Sequence, residues 1–231
     1  MSWADQEVWT ARGRTKTGVL LLTIGVGISW IPVVKDIGGL LALIGIIYLF
    51  LGRWGFGDRH HGFVLAGGTL IVLGFLATIV VAVALAFALF QAASQVGSTS
   101  QDVANALQTG IENTVIATLA VGILSGIGQV LMVYVIADTT SRWLLIGGLA
   151  AGIGLGILLL AIELPALTSA IQAGTSGSTY DLGPVNNFQN QLQIYGLLDV
   201  IPAALTGFAY YRIWKKLDES DAPPLGAPSG L

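Results

Sequence analysis

Two carboxylates stand where a membrane-length apolar run makes them expensive. Asp199 lies inside "YGLLDVIPAALTGF" (Tyr195–Phe208), three residues before Pro202, and Glu163 lies in "AIELPALT" two residues before Pro165. A charge at the centre of a membrane helix costs roughly 2.5–3.5 kcal/mol, and such residues are found where ions bind, protons relay or water enters. Each proline removes a backbone donor, so Pro165 and Pro202 predict kinks or breaks, as does Pro32 near the end of the first apolar run. Asp199 then has two readings. It is a proton- or cation-binding carboxylate beside a broken helix, or an N-cap for the half-helix that Pro202 restarts. Glu163 either joins such a site or reaches interfacial water.

Polar and small residues recur beside these acids at helical spacing. Thr118, Gly122, Ser125 and Gln129 share one face of one run, and Asp199, Ala203, Thr206 and Tyr210 share a face of another. Facing each other, the stripes would line a hydrated cavity, giving a transport site of Asp199, Glu163, Gln129, Ser125 and Thr206. The competing reading is polar glue between packed helices.

Other chemistry lacks its residues. No cysteine is present, so disulfides, thiolate metal sites and cysteine nucleophiles are excluded. The two histidines, His60 and His61, are adjacent and do not share a helix face; they read as part of a solvated basic loop, with no metal site and no cofactor expected. A net charge of −3 without a basic block argues against nucleic acid. Tyr180-Asp181, "GLLD" and "PAAL" follow the order of signatures in intramembrane aspartyl proteases. Leu198 stands where that motif needs glycine, however, and "PAAL" carries an extra alanine, so an enzyme is not the expected reading.

What positions these residues is a set of apolar runs. The chain is 54% hydrophobic and 10% charged, with mean hydropathy +0.79; soluble domains carry roughly 25% charge. The runs, Gly18–Val34, Ile37–Gly52, Gly62–Phe90, Val115–Ala137, Trp143–Leu164 and Leu192–Tyr211, are continuous, which predicts an all-α bundle of six transmembrane helices. With the N-terminus inside, Arg12, Arg14, Lys16, Arg53, Arg59, Arg142, Arg212, Lys215 and Lys216 fall on one side and Lys35 on the other. That asymmetry predicts a cell-membrane protein with both termini cytoplasmic. Residues 1–17 read as a cytoplasmic segment able to form an interfacial helix, residues 18–216 as the transmembrane domain, and 217–231 as a disordered tail.

Glycine supplies the packing signal. Gly148, Gly152 and Gly156 repeat every fourth residue, as do Gly122 and Gly126, permitting close helix approach within the chain or against a second protein. The expected partners are the bilayer and, on the second reading, other membrane proteins or a second copy. The stretch "TIGVGISWIPVVKDIGGLLALIGIIYLFLG" (Thr23–Gly52) resembles small multi-span prokaryotic membrane proteins, many of them archaeal. That resemblance implies a polytopic helical fold and no particular activity. Two functions follow as expectations: a small transporter or channel-like protein with a carboxylate site, or a non-catalytic packing or assembly subunit.

Overall fold

The structure is a computed structural model that describes residues 3–94, 100–175 and 196–221. Among these residues all regular structure is helical: α1 (Trp3–Ser29), α2 (Lys35–Leu51), α3 (Gly57–Ser94), α4 (Ser100–Tyr134), α5 (Thr139–Thr175), a 3-10 turn (Gly196–Asp199) and α6 (Val200–Asp221). Continuous apolar sequence forms helices because each satisfies its backbone polar groups internally. Three are long and apolar enough to cross a membrane, within Gly57–Phe87, Gln108–Tyr134 and Thr139–Ala166. They turn large apolar side chains outward: on α3, Phe75, Val80 and Val83 are exposed by 66%, 67% and 63%. An outer surface of that kind is compatible with lipid contact and a membrane location.

α1 packs on α2, α3 on α4, α4 on α5 and α5 on α6, and α1 also packs on α6. Backbone meets backbone in two hairpins. A Cβ added at Gly25 would stand 2.6 Å from the Gly38 carbonyl oxygen, and one at Gly18 would stand 2.8 Å from that of Gly45, so α1 and α2 touch along their main chains. Gly67 of α3 abuts Gly128 of α4 in the same way. With no hydrophobic drive between helices in lipid, such contact gains dispersion energy that larger residues would forfeit.

All the helix ends that carry arginine and lysine, apart from Lys35, gather at one pole, called here the basic end. Arg12 donates to the Gly55 carbonyl at 3.0 Å, and buried Thr15 donates to that of Gly52 at 3.0 Å, tying α1 to the α2–α3 joint. Lys16 pairs with Asp218 between α1 and α6. The fully buried core lies in this half: Leu22, Leu49, Val64, Met132, Leu145 and Tyr210 are each 0% exposed. The opposite half is less tightly filled, which decides where a cavity can open.

Several elements run past their apolar sequence. α1 is one unbroken helix that includes the polar N-terminal segment, α4 begins at Ser100, and α6 continues through buried Leu217 to Asp221. Residues 222–231 of the expected tail lie outside the described residues. Pro165 does not break α5, which continues to Thr175. Ending the helix there would expose several backbone groups, whereas the proline frees only one carbonyl. Pro32 sits in the turn between α1 and α2, and Pro202 in the first turn of α6, where a missing N–H costs nothing.

Candidate functional site: a cavity between four helices

A cavity of about 550 Å³ lies among α1, α4, α5 and α6. Its polar lining is Ser29, Thr118, Gln129, Asp199, Thr206 and Tyr210, so the two stripes predicted from the sequence meet across one space. Glycines make that space. Among the described residues, Gly122 has nothing within 4 Å of where a Cβ would lie, and Gly152 meets only the Pro202 side chain, at 3.7 Å. Elsewhere the walls close: Gly126 receives Leu149, Gly156 receives Leu119, and Gly148 receives Thr206. The floor, toward the basic end, is Leu145 and Tyr210. Both are fully buried, and among the described residues the Tyr210 hydroxyl has no hydrogen-bond partner.

The wall hydroxyls are spent as donors. Thr118 donates to the Thr114 carbonyl at 2.8 Å, Thr206 to that of Pro202 at 2.6 Å, and Ser29 to that of Val26 at 2.9 Å. A hydroxyl donates once and accepts twice, so each turns only lone pairs to a ligand. Gln129 meets no hydrogen-bond partner among the described residues. Ser125 points away from the cavity, toward α3, where a Cβ at Gly74 would approach its Oγ to 2.8 Å. Glu163 lies within α5, but its side chain is outside what the structure describes.

Asp199 ends the 3-10 turn at the entry to α6, exposed at the cavity wall. The sequence placed it well inside a helical span; the helix instead begins at the next residue. Among the described residues no donor bonds its carboxylate, and it makes no capping hydrogen bond to α6. The charge that acts on it is Lys35, at the start of α2. Sequence reading gave Lys35 no part in the site, since nothing local links residues separated by most of the chain.

Two further clusters frame the cavity. Away from the basic end, Gln108 donates to Glu112 at 2.9 Å and to Thr168 at 3.3 Å, joining α4 to α5. At the basic end, Asp138 accepts from the Ser141 backbone amide at 2.8 Å, capping α5, and from Arg212 of α6 at 3.0 Å. The hydrogen bonds of Ser141, aided by Arg212, hold the Asp138 carboxyl down to about 2. Its folded pKa is depressed, so this latch contributes above the usual carboxylate range and is lost as pH falls toward 2. Asp138→Ala is expected to lower thermal stability by about 1 kcal/mol and Asp138→Asn by less, because asparagine still caps; melting curves in detergent at neutral pH give the comparison.

The histidines depart from the solvated loop expected of them. His60 is fully buried with its ring edge-on to Phe56, and His61 stacks on Trp54 at 3.6 Å between ring centres. No cluster of three metal-ligating side chains occurs among the described residues.

The chain matches no protein-family model, no curated protein and no solved structure.

Proposed function

We propose that this is a six-helix membrane protein that transports a cation through the α1–α4–α5–α6 cavity, with Asp199 as the binding carboxylate. The observation that carries the reading is the state of Asp199. It faces a cavity walled by hydroxyl lone pairs, and no hydrogen bond within the described residues occupies it. A carboxylate used as a cap would have its oxygens on the first amides of α6.

The basic end carries nine of the ten lysines and arginines, and this asymmetry supports an orientation in a cell membrane with that end and both termini cytoplasmic. The Asp138–Arg212 and Lys16–Asp218 pairs and the packed core then close the cytoplasmic side, and the cavity opens outward. Helices α1, α2 and α6 complete the bundle as shorter spans around the three long ones. The glycines that suggested a packing subunit are engaged inside the chain: Gly126, Gly148 and Gly156 receive side chains of its own helices.

The test is cation uptake into proteoliposomes under an imposed membrane potential. Asp199→Asn is expected to lower the rate at least about tenfold, corresponding to about 1.4 kcal/mol, with little change in melting temperature. Undiminished uptake by a well-folded Asp199→Asn protein rules the reading out.

A further inference from the structure

Resting on the transport reading, we infer that the cavity takes an amphipathic organic amine: a protonated, N–H-bearing ammonium at Asp199 with its apolar body in the hollow. Size is the first argument. A volume of about 550 Å³ falls in the roughly 300–1,000 Å³ range of small-molecule sites. A bare metal cation needs several oxygens converging at little more than 2 Å. Here Thr118 and Gln129 lie eleven residues apart on α4, and Asp199, at the entry to α6, lies eleven residues before Tyr210. At about 1.5 Å per residue the polar groups are strung over some 16 Å, too far to surround one ion.

Chemistry narrows the ligand further. The hydroxyls of Ser29, Thr118 and Thr206 have given their protons to backbone carbonyls, so with Asp199 they form an acceptor-rich wall. Such a wall suits a ligand that donates N–H bonds and carries positive charge. No lysine, arginine or histidine lines the cavity among the described residues, so an anion finds no counter-charge there. Between the polar groups the lining is aliphatic, with Leu119, Ile123, Leu145, Leu149 and Ile153, which favours a hydrocarbon body over a hydrated ion. Lys35 is a positive charge that acts on Asp199, and an ammonium bound at Asp199 would take over that role.

Binding to the full-length protein in phosphatidylcholine nanodiscs, with empty nanodiscs subtracted, tests this. The probes are 2-phenylethylamine, its neutral analogue 2-phenylethanol, and sodium. The amine is expected to bind at least about tenfold more tightly than the alcohol, a gap of about 1.4 kcal/mol. Asp199→Asn should remove that preference and leave the alcohol unaffected. Lys35→Gln should strengthen amine binding, an opposite sign that misfolding does not produce. Equal binding of amine and alcohol, unchanged in Asp199→Asn, would overturn the inference in favour of a lipid-like apolar pocket. So would binding of neither probe. Asp199-dependent sodium or proton flux without amine binding would overturn the amine while leaving the transport reading in place. Amine binding without flux of any cation would uphold the amine site and overturn transport.

Discussion

Gly67→Leu is expected to yield no monodisperse folded protein, and Gly67→Ala to lower the melting temperature by about 10 °C. The Cβ of any residue at 67 collides with the carbonyl oxygen of Gly128 and crowds Met132. The collision is reciprocal, since a Cβ at Gly128 would lie 2.7 Å from the Gly67 carbonyl oxygen. Backbone cannot step aside as a side-chain tip can, so α3 and α4 must separate along much of their length. Overpacking ordinarily costs about 1–3 kcal/mol, and for a chain of this size each kcal/mol moves the midpoint by about 2–4 °C; the alanine variant belongs at the upper end. Gly154→Ala is the control. Gly154 is exposed with nothing within 4 Å of its Cβ position, so alanine there should leave stability unchanged or raise it by up to about 1 kcal/mol. Thermal denaturation of the three proteins in one detergent decides the matter, and a Gly67→Ala protein as stable as Gly154→Ala would refute the contact.

The glycines also show how far the sequence could be read. The four-residue repeat in "GGLAAGIGLG" drew attention to α5, yet Gly148 and Gly156 receive side chains and Gly152 borders open space. Between α1 and α2 the backbone contact belongs to glycines seven apart: Gly18 with Gly25, facing Gly38 with Gly45. A seven-residue repeat keeps one seam toward a partner helix, and two such repeats flanking a short turn announce a hairpin. Helical structure was legible because long apolar runs have few other options. Helix ends were not, because hydropathy marks where lipid would start and not where backbone hydrogen bonding stops. α4 therefore begins at Ser100, and α5 passes Pro165 without a break.

The candidate site was legible in its stripes and illegible in its charges. Helical spacing alone put Thr118, Gly122 and Gln129 on one face, and that face lines the cavity. Ser125 belongs to the same stripe by spacing, but α3 packs against it at Gly74. The partners of the acids are another matter. Lys35 acts on Asp199 across 164 positions, and Arg212 meets Asp138 across 74. No local pattern encodes pairings of that kind; they follow from which helices are neighbours, and glycine contacts set that. The cap at "DTTS", by contrast, has a local signature in its Asp and the Ser three residues on.

Gly122→Leu is expected to reduce cation flux to the level of empty vesicles while leaving the fold intact. Gly122 lies one turn from Thr118 and two from Gln129 on the cavity face of α4, and a Cβ there meets nothing within 4 Å. A leucine side chain must therefore enter the hollow, without displacing backbone. The helix itself gains, because leucine replaces glycine in its interior, a change worth up to about 1 kcal/mol. A ligand forced to leave about 100 Å² of its apolar surface unburied forfeits about 2.5 kcal/mol, nearly a hundredfold in binding. Stability and function thus move in opposite directions, which separates a plugged path from a damaged protein. The measurement is a paired one: melting temperature and proteoliposome uptake on the same preparation. A stable Gly122→Leu protein with normal uptake would show that the ion path avoids this cavity, and Asp199 would then act somewhere other than on its wall.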